Sequence, residues 1–384
     1  MRILYCITRS DTIGGAHIHV ADMTDWMLRN GHWAHIVVGG GGVYCEELRR
    51  RKLPFTSLEE MRRDIGLVQD LASVRALRRV IASLKPDIVS LHSSKAGVVG
   101  RLAAFRLQTR VLFTAHGWSF TEGVPRRSAT VYRYIEKLMS NLCDRIITVS
   151  EFDRQLAVRK RVCKESQITT IRNGMPDISR KTHEMRDDGL VELLMVARLD
   201  QQKDHETLLR ALYDLRCEFE WHLTLVGDGP LRKTLEAMVE RLGIADSVSF
   251  VGMRNDVSDW MSRADVFILT SNYEGFPRSI LEAMRSTLPV VASDVGGVSE
   301  SVVDGQTGFL IQRKDSSSLR SRLRQLIEDA DLRSNLGQQG RRSFETSFTF
   351  EKMARETIRV YTELIGTKHT DEEQRLIDST EKGQ

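Results

Sequence analysis

Cysteine is scarce and scattered in this chain. Five residues in 384 are of this type (Cys6, Cys45, Cys143, Cys163 and Cys217), with no CxxC and no ligand-like pair. That excludes a disulfide framework or a structural zinc site as the basis of the fold. No apolar run reaches the length of a membrane span. Residues 1–8 form a short apolar run with no cleavage site, so no secretory signal is expected and a reducing cytoplasm is the expected location. A Gly-Lys-Ser/Thr phosphate loop is missing, and Gly227-x-Gly229 lacks the third glycine of a dinucleotide fingerprint. Nor do aromatic and basic residues interleave as they do in RNA-binding surfaces.

What is present is a globular composition, 41% hydrophobic and 28% charged. The length exceeds what one core sustains, so two domains are expected. Residues 1–185 hold 30 Lys/Arg against 18 Asp/Glu, a net +12, and the remainder holds 26 against 34, a net −8. The basic half is suited to an anionic partner. Strand-length apolar runs at residues 2–8, 34–39, 88–92, 110–115 and 145–149 alternate with helical patterns. The rhythm restarts at 191–197, 222–227, 248–251, 266–270 and 290–293. It predicts an α/β protein with two doubly wound, Rossmann-like domains: residues 1–184, residues 185–365 ending in consecutive helices, and a loose polar tail at 366–384. Ligands of such sheets bind beyond the carboxyl ends of the strands, so the chemistry is expected in a cleft that the two domains face.

The segment Ser271-Asn272-Tyr273-Glu274-Gly275-Phe276-Pro277-Arg278-Ser279-Ile280-Leu281-Glu282 follows a strand and opens a helix. Its helix start offers free N–H groups to an anion such as a diphosphate, and its two carboxylates are placed to accept bonds from sugar hydroxyls. Alone, Glu274 would read as a helix cap and Glu282 as a solvated charge. Four more segments occur in order with it: Gly14-Gly15, Thr114-Ala115-His116-Gly117, Val196-Ala197-Arg198-Leu199-Asp200 with Lys203, and Val226-Gly227-Asp228-Gly229-Pro230. Together they resemble the retaining glycosyltransferases of family 4 (glycosyl transferases group 1), of the bacterial polysaccharide-biosynthesis type and the GT-B fold. The resemblance covers roughly residues 2–365.

That resemblance implies a role for each position. Arg198 and Lys203 would hold the donor diphosphate, with Gly14 and Gly15 offering backbone N–H groups from the other domain. His116 would lie against the transferred sugar, Glu274 would contact its hydroxyls, and Glu282 would contact the ribose. Gly275, Phe276 and Pro277 belong to the same donor loop. Asn173 matches a recurring turn near the donor, and Arg254 lies in the loop 251–257 that faces the base, with uridine, guanosine and adenosine donors open and the first two favoured. Each has a plainer reading as a turn, a cap, a core histidine or a surface charge.

No Asp-x-Asp ends a strand, since residues 329–331 fall between two C-terminal helices. No metal site and no cofactor are expected, and basic groups would stabilise the departing diphosphate. The expected partners are a nucleotide diphosphate sugar and a saccharide or lipid-linked acceptor, without nucleic acid. A sugar-nucleotide epimerase and a non-catalytic sensor of the same fold are the rivals. The basic helical face of Arg75, Arg78, Arg79 and Lys85 suggests a peripheral position at the inner face of an anionic membrane.

Overall fold

The structure is a computed structural model that describes residues 1–62, 66–178 and 189–381, with side chains described through residue 366 except that of residue 67. It divides into two compact units, Met1–Ile171 with Ala354–Gln384, and Arg172–Met353.

The first unit is a seven-stranded parallel sheet in the order β3-β2-β1-β4-β5-β6-β7. The strands are β1 (Arg2–Ile7), β2 (Trp33–Gly39), β3 (Phe55–Leu58), β4 (Ile88–His92), β5 (Arg110–Ala115), β6 (Arg145–Thr148) and β7 (Ile168–Thr170). The crossovers are α1 (Gly15–Arg29), α2 (Val43–Arg50), α3 (Leu67–Leu84), α4 (Ser94–Ala104), α5 (Arg126–Ser140) and α6 (Glu151–Arg159). β4 is buried at every position, as a strand covered on both faces must be. The order reverses between β1 and β4, a switch point of the kind where such sheets bind ligands.

The second unit repeats the plan with six strands in the order β10-β9-β8-β11-β12-β13. They are β8 (Val191–Val196), β9 (Trp221–Val226), β10 (Val248–Gly252), β11 (Val266–Leu269), β12 (Val290–Ser293) and β13 (Gly308–Ile311). The helices are α7 (His205–Leu215), α8 (Arg232–Leu242), α9 (Val257–Met261), α10 (Arg278–Arg285), α11 (Ser316–Glu328) and α12 (Ala330–Ser347), and α13 (Phe350–Glu381) begins in this unit. Here the switch point lies between β8 and β11.

Three short edge strands, β3, β7 and β13, were not expected from the sequence. Edge strands pack on one side only, so β3 and β7 lack the fully apolar run of the central strands. The units also divide differently from the expected boundary near residue 185, which itself lies outside the described residues. Residues 172–178 group with the second unit because Asn173 Nδ2 donates to the Phe276 carbonyl at 2.9 Å, and Met175 and Phe350 exchange backbone bonds with Phe348 and Met175. From Ala354 onward α13 groups with the first unit, where the Tyr361 hydroxyl reaches Ser90 Oγ. The tail expected to be loose is helical to Glu381.

Candidate functional site

In the second unit four loops meet at the carboxyl edge of the sheet. The loop after β8 is stitched to the loop after β11 by backbone bonds from Asp204 to Thr270 at 3.0 Å and from Asn272 to Gln202 at 2.8 Å. The loop after β9 joins them through Leu199 N to Asp228 O, and the loop after β12 through Gly297 N to Gly275 O. Gly296 sits at φ +59, and a Cβ there would overlap the Glu274 carbonyl. Only glycine allows that approach.

This frame holds one buried ion pair. Lys203 Nζ donates to Glu274 Oε1, and the two side chains are 13% and 6% exposed. Ser271 Oγ donates to the same oxygen at 2.6 Å, while Gln202 Nε2 reaches Oε2 at 3.4 Å and the Tyr273 carbonyl at 3.1 Å. The sequence suggested separate tasks for Lys203 and Glu274. The geometry makes them a single unit in which the ammonium and two neutral donors fix the carboxylate. Behind them, burial and the Lys203 charge push the His205 imidazole down to about 4, so it is neutral.

The other predicted positions are distributed around that pair. Arg198 is half-exposed, with its guanidinium 3.4 Å from the Asp200 carboxylate. Gly275 follows Glu274 directly, and Pro277 occupies the position before α10. Glu282 is half-buried within α10. Phe276 is buried against Phe348, and its carbonyl takes the Asn173 amide. That Asn173 amide therefore braces the loop between β11 and α10. Arg254 is engaged at the surface, where Asp256 takes its Nε and Nη2 at 2.8 and 2.7 Å.

In the first unit the corresponding edge carries histidines. Gly14 caps α1, and its N–H donates to His17 Nδ1 at 3.2 Å, while the far ring nitrogen of His17 meets the Arg9 carbonyl at 3.0 Å. Burial lowers His17 to about 4. A Cβ at Gly14 would meet only that ring, at 3.9 Å, so packing does not demand the glycine and space is left at the helix start before Gly15.

His116 follows β5, and its Nε2 lies 2.9 Å from Nδ1 of His92 at the end of β4. His92 Nε2 is 3.0 Å from Ser90 Oγ, which accepts from the Tyr361 hydroxyl. If Ser90 passes its own proton to His92, every group in the chain has one donor and one acceptor. His92 then donates to His116 Nε2, which fixes His116 as the Nδ1–H tautomer. Burial and the neighbouring His116 hold His92 well below the usual histidine range. His19, from the second turn of α1, stacks edge-on against His116 at 5.1 Å. His19, His92 and Ser90 were not identified in the sequence, because nothing local says that β1, β4 and β5 lie side by side.

Ligand atoms of His19, His92 and His116 lie within 4.8 Å of one another, the one metal-compatible group among the described residues. Two nitrogens on a tetrahedral zinc ion stand about 3.3 Å apart, farther than the hydrogen-bonded His92 and His116 nitrogens.

Two family models match the chain: Glycosyltransferase Family 4 over residues 13–177 and Glycosyl transferases group 1 over residues 179–343. EpsD of Bacillus subtilis, which carries a glycosyltransferase name, is 30% identical over 92% of this chain and 95% of its own length. An Escherichia coli UDP-Gal:alpha-D-GlcNAc-diphosphoundecaprenol alpha-1,3-galactosyltransferase is 30% identical over 70% of this chain and 73% of its own. Among solved structures, Anabaena Alr3699/HepE in complex with UDP and glucose superposes with a TM-score of 0.79 at 21% identity, covering 94% of this chain and 99% of that one. At that identity the likeness is one of fold.

Proposed function

The chain belongs to the group 1 glycosyltransferases of family 4, with the GT-B fold, and on that premise we propose that it transfers a sugar, with retention, from a nucleoside diphosphate donor to a saccharide or lipid-linked acceptor. The observation that carries this reading is the Glu274 carboxylate, buried and held by Lys203, Ser271 and Gln202 where four loops meet. A carboxylate so fixed presents its remaining lone pairs in one orientation, as recognition of sugar hydroxyls requires. Arg198 contributes an exposed fork for the diphosphate beside it.

His116, ordered through His92, is the group proposed to face the anomeric centre. An Nδ1–H tautomer would serve as a neutral donor to a sugar hydroxyl. Gly14 and Gly15 offer the open start of α1 to an anion, and Glu282 and Arg254 remain candidates for the ribose and the base. The leaving diphosphate is proposed to accept the acceptor's proton on the face it departs from, with positive charge from Arg198 and Lys203 stabilising it in place of a metal. The names of the Escherichia coli relative and the Anabaena complex support a uridine donor, with guanosine the alternative, and the former supports a lipid diphosphate acceptor and a peripheral membrane position in polysaccharide synthesis.

The test is a screen of nucleotide sugars for thermal protection. A donor at one hundred times its Kd stabilises the folded state by about 2.7 kcal/mol. The matching nucleotide sugar should raise the melting temperature of the wild type and not that of Glu274→Gln. Equal protection of both proteins would remove Glu274 from the donor site.

A further inference from the structure

Helix α5 is turned the wrong way for an ordinary crossover helix. Val131, Tyr134, Ile135 and Leu138 recur at the spacing of one helical stripe, yet they are 57%, 58%, 37% and 65% exposed. The face it buries instead carries Glu136, Met139 and Ser140. Glu136 is held there by Arg101 of α4 at 2.9 Å in an ion pair with both side chains buried. The stripe cannot roll inward without stranding that carboxylate, which a low-dielectric interior penalises heavily.

The rim of the stripe is basic. Arg126, Arg127 and Lys137 are exposed on α5, and Arg133 packs over the Tyr134 ring at 4.7 Å. At the C-terminal end of the helix an open pocket is lined by Lys137, Arg145, Arg161 and Lys164, with Asp144, and Asp144 is paired to Arg110. An outward apolar stripe with cations along its edge and a cationic pocket at its end matches the headgroup and acyl boundary of an anionic bilayer.

We propose that α5 and this pocket form the surface by which the protein docks on anionic lipid, with Tyr134 and Leu138 entering the interface and Lys137, Arg161 and Lys164 meeting lipid phosphates. The proposal rests on the peripheral-membrane reading above and relocates its contact. The α3 face expected from sequence is less suited, because Arg78 is spent on the carbonyls of Ala103 and Phe105 at 2.9 and 2.7 Å. Vesicle binding is measured without donor or acceptor, so it can fail while the transferase reading stands.

The experiment is flotation of the full chain with vesicles of phosphatidylcholine alone or mixed with phosphatidylglycerol, together with sedimentation velocity of the free protein. The wild type should float with the mixed vesicles at low salt and be released by high salt. Tyr134→Ser/Leu138→Ser and Arg127→Gln/Lys137→Gln should each bind about tenfold more weakly or worse, at roughly fivefold per lost cation, with melting temperatures unchanged because these side chains are exposed. Arg75→Gln/Arg79→Gln should change binding less than either. Undiminished flotation of Tyr134→Ser/Leu138→Ser would overturn the proposal. So would a stable dimer that Leu138→Arg dissociates, which would assign the stripe to a second copy of this chain.

Discussion

Lys203 and Glu274, seventy-one residues apart, form one buried ion pair, with Ser271 Oγ donating to the same Glu274 oxygen from 2.6 Å. Removing the lysine leaves a buried carboxylate without its counter-ion. Lys203→Ala should therefore lower stability by about 3 kcal/mol as well as cutting transfer by about 10²-fold or more. Lys203→Met/Glu274→Gln removes both charges, so it should recover most of that stability while transfer stays low. Denaturant midpoints and initial rates for the three proteins check this, and a double variant with wild-type turnover would separate the pair from function.

His92 is buried, and its Nδ1 is bonded to His116 Nε2. His92→Phe deletes the bond to His116 Nε2 and frees that ring to change tautomer. Transfer is expected to fall by about 10²-fold with a shifted pH profile, while the donor still protects against heat. Nitrogen-15 chemical shifts of His116 should show Nδ1–H in the wild type and a tautomer mixture in the variant. An Nε2–H wild-type ring would contradict the proton order through Ser90.

Gly296 tests the frame without touching a charged group. Gly296→Ala would place a methyl on the Glu274 carbonyl at a backbone angle that disfavours side chains. Stability should drop by about 2 kcal/mol or more, with weaker protection by the nucleotide sugar. Gly305, also at positive φ, has open space around it, so Gly305→Ala should cost about 1 kcal/mol and leave donor binding intact.

His17 and His205 are buried neutral, at about 4 against an ordinary value near 6.5. Their depressed pKa means that the unfolded chain binds protons more readily. The stability they permit is intact above about pH 6.5 and is lost as pH falls from there toward 4. At pH 5 each should cost about 2 kcal/mol. Chemical denaturation at pH 7 and pH 5 should show that fall, and it should be smaller in His205→Gln. A flat profile would show that these rings are not held neutral.

The two parallel sheets were legible because every central strand is an apolar run followed by a helix, and Val266–Leu269 is a clear case. The edge strands β3, β7 and β13 were not legible, and β7, for instance, carries only three residues with one buried; β10, the remaining edge strand, was. Glu274, Lys203 and Arg198 were found by motif, but their union was invisible: a sequence shows the loops after β8 and β11 without showing that β8 and β11 are neighbours. His19 and His92, which group with His116, were missed for the same reason. The direction of the apolar stripe on α5 was not legible, because it depends on Arg101 pairing with Glu136 thirty-five residues away.

The most direct test is the stereochemistry of transfer itself. The wild type is supplied with an α-configured nucleotide sugar and a polyprenyl diphosphate saccharide in the presence of EDTA, and the anomeric coupling of the new linkage is read by proton NMR. Retention by a metal-free site predicts an α-linked product and nucleoside diphosphate release that requires the acceptor. A β-linked product, release without acceptor, or activity that returns only with magnesium or manganese would contradict it.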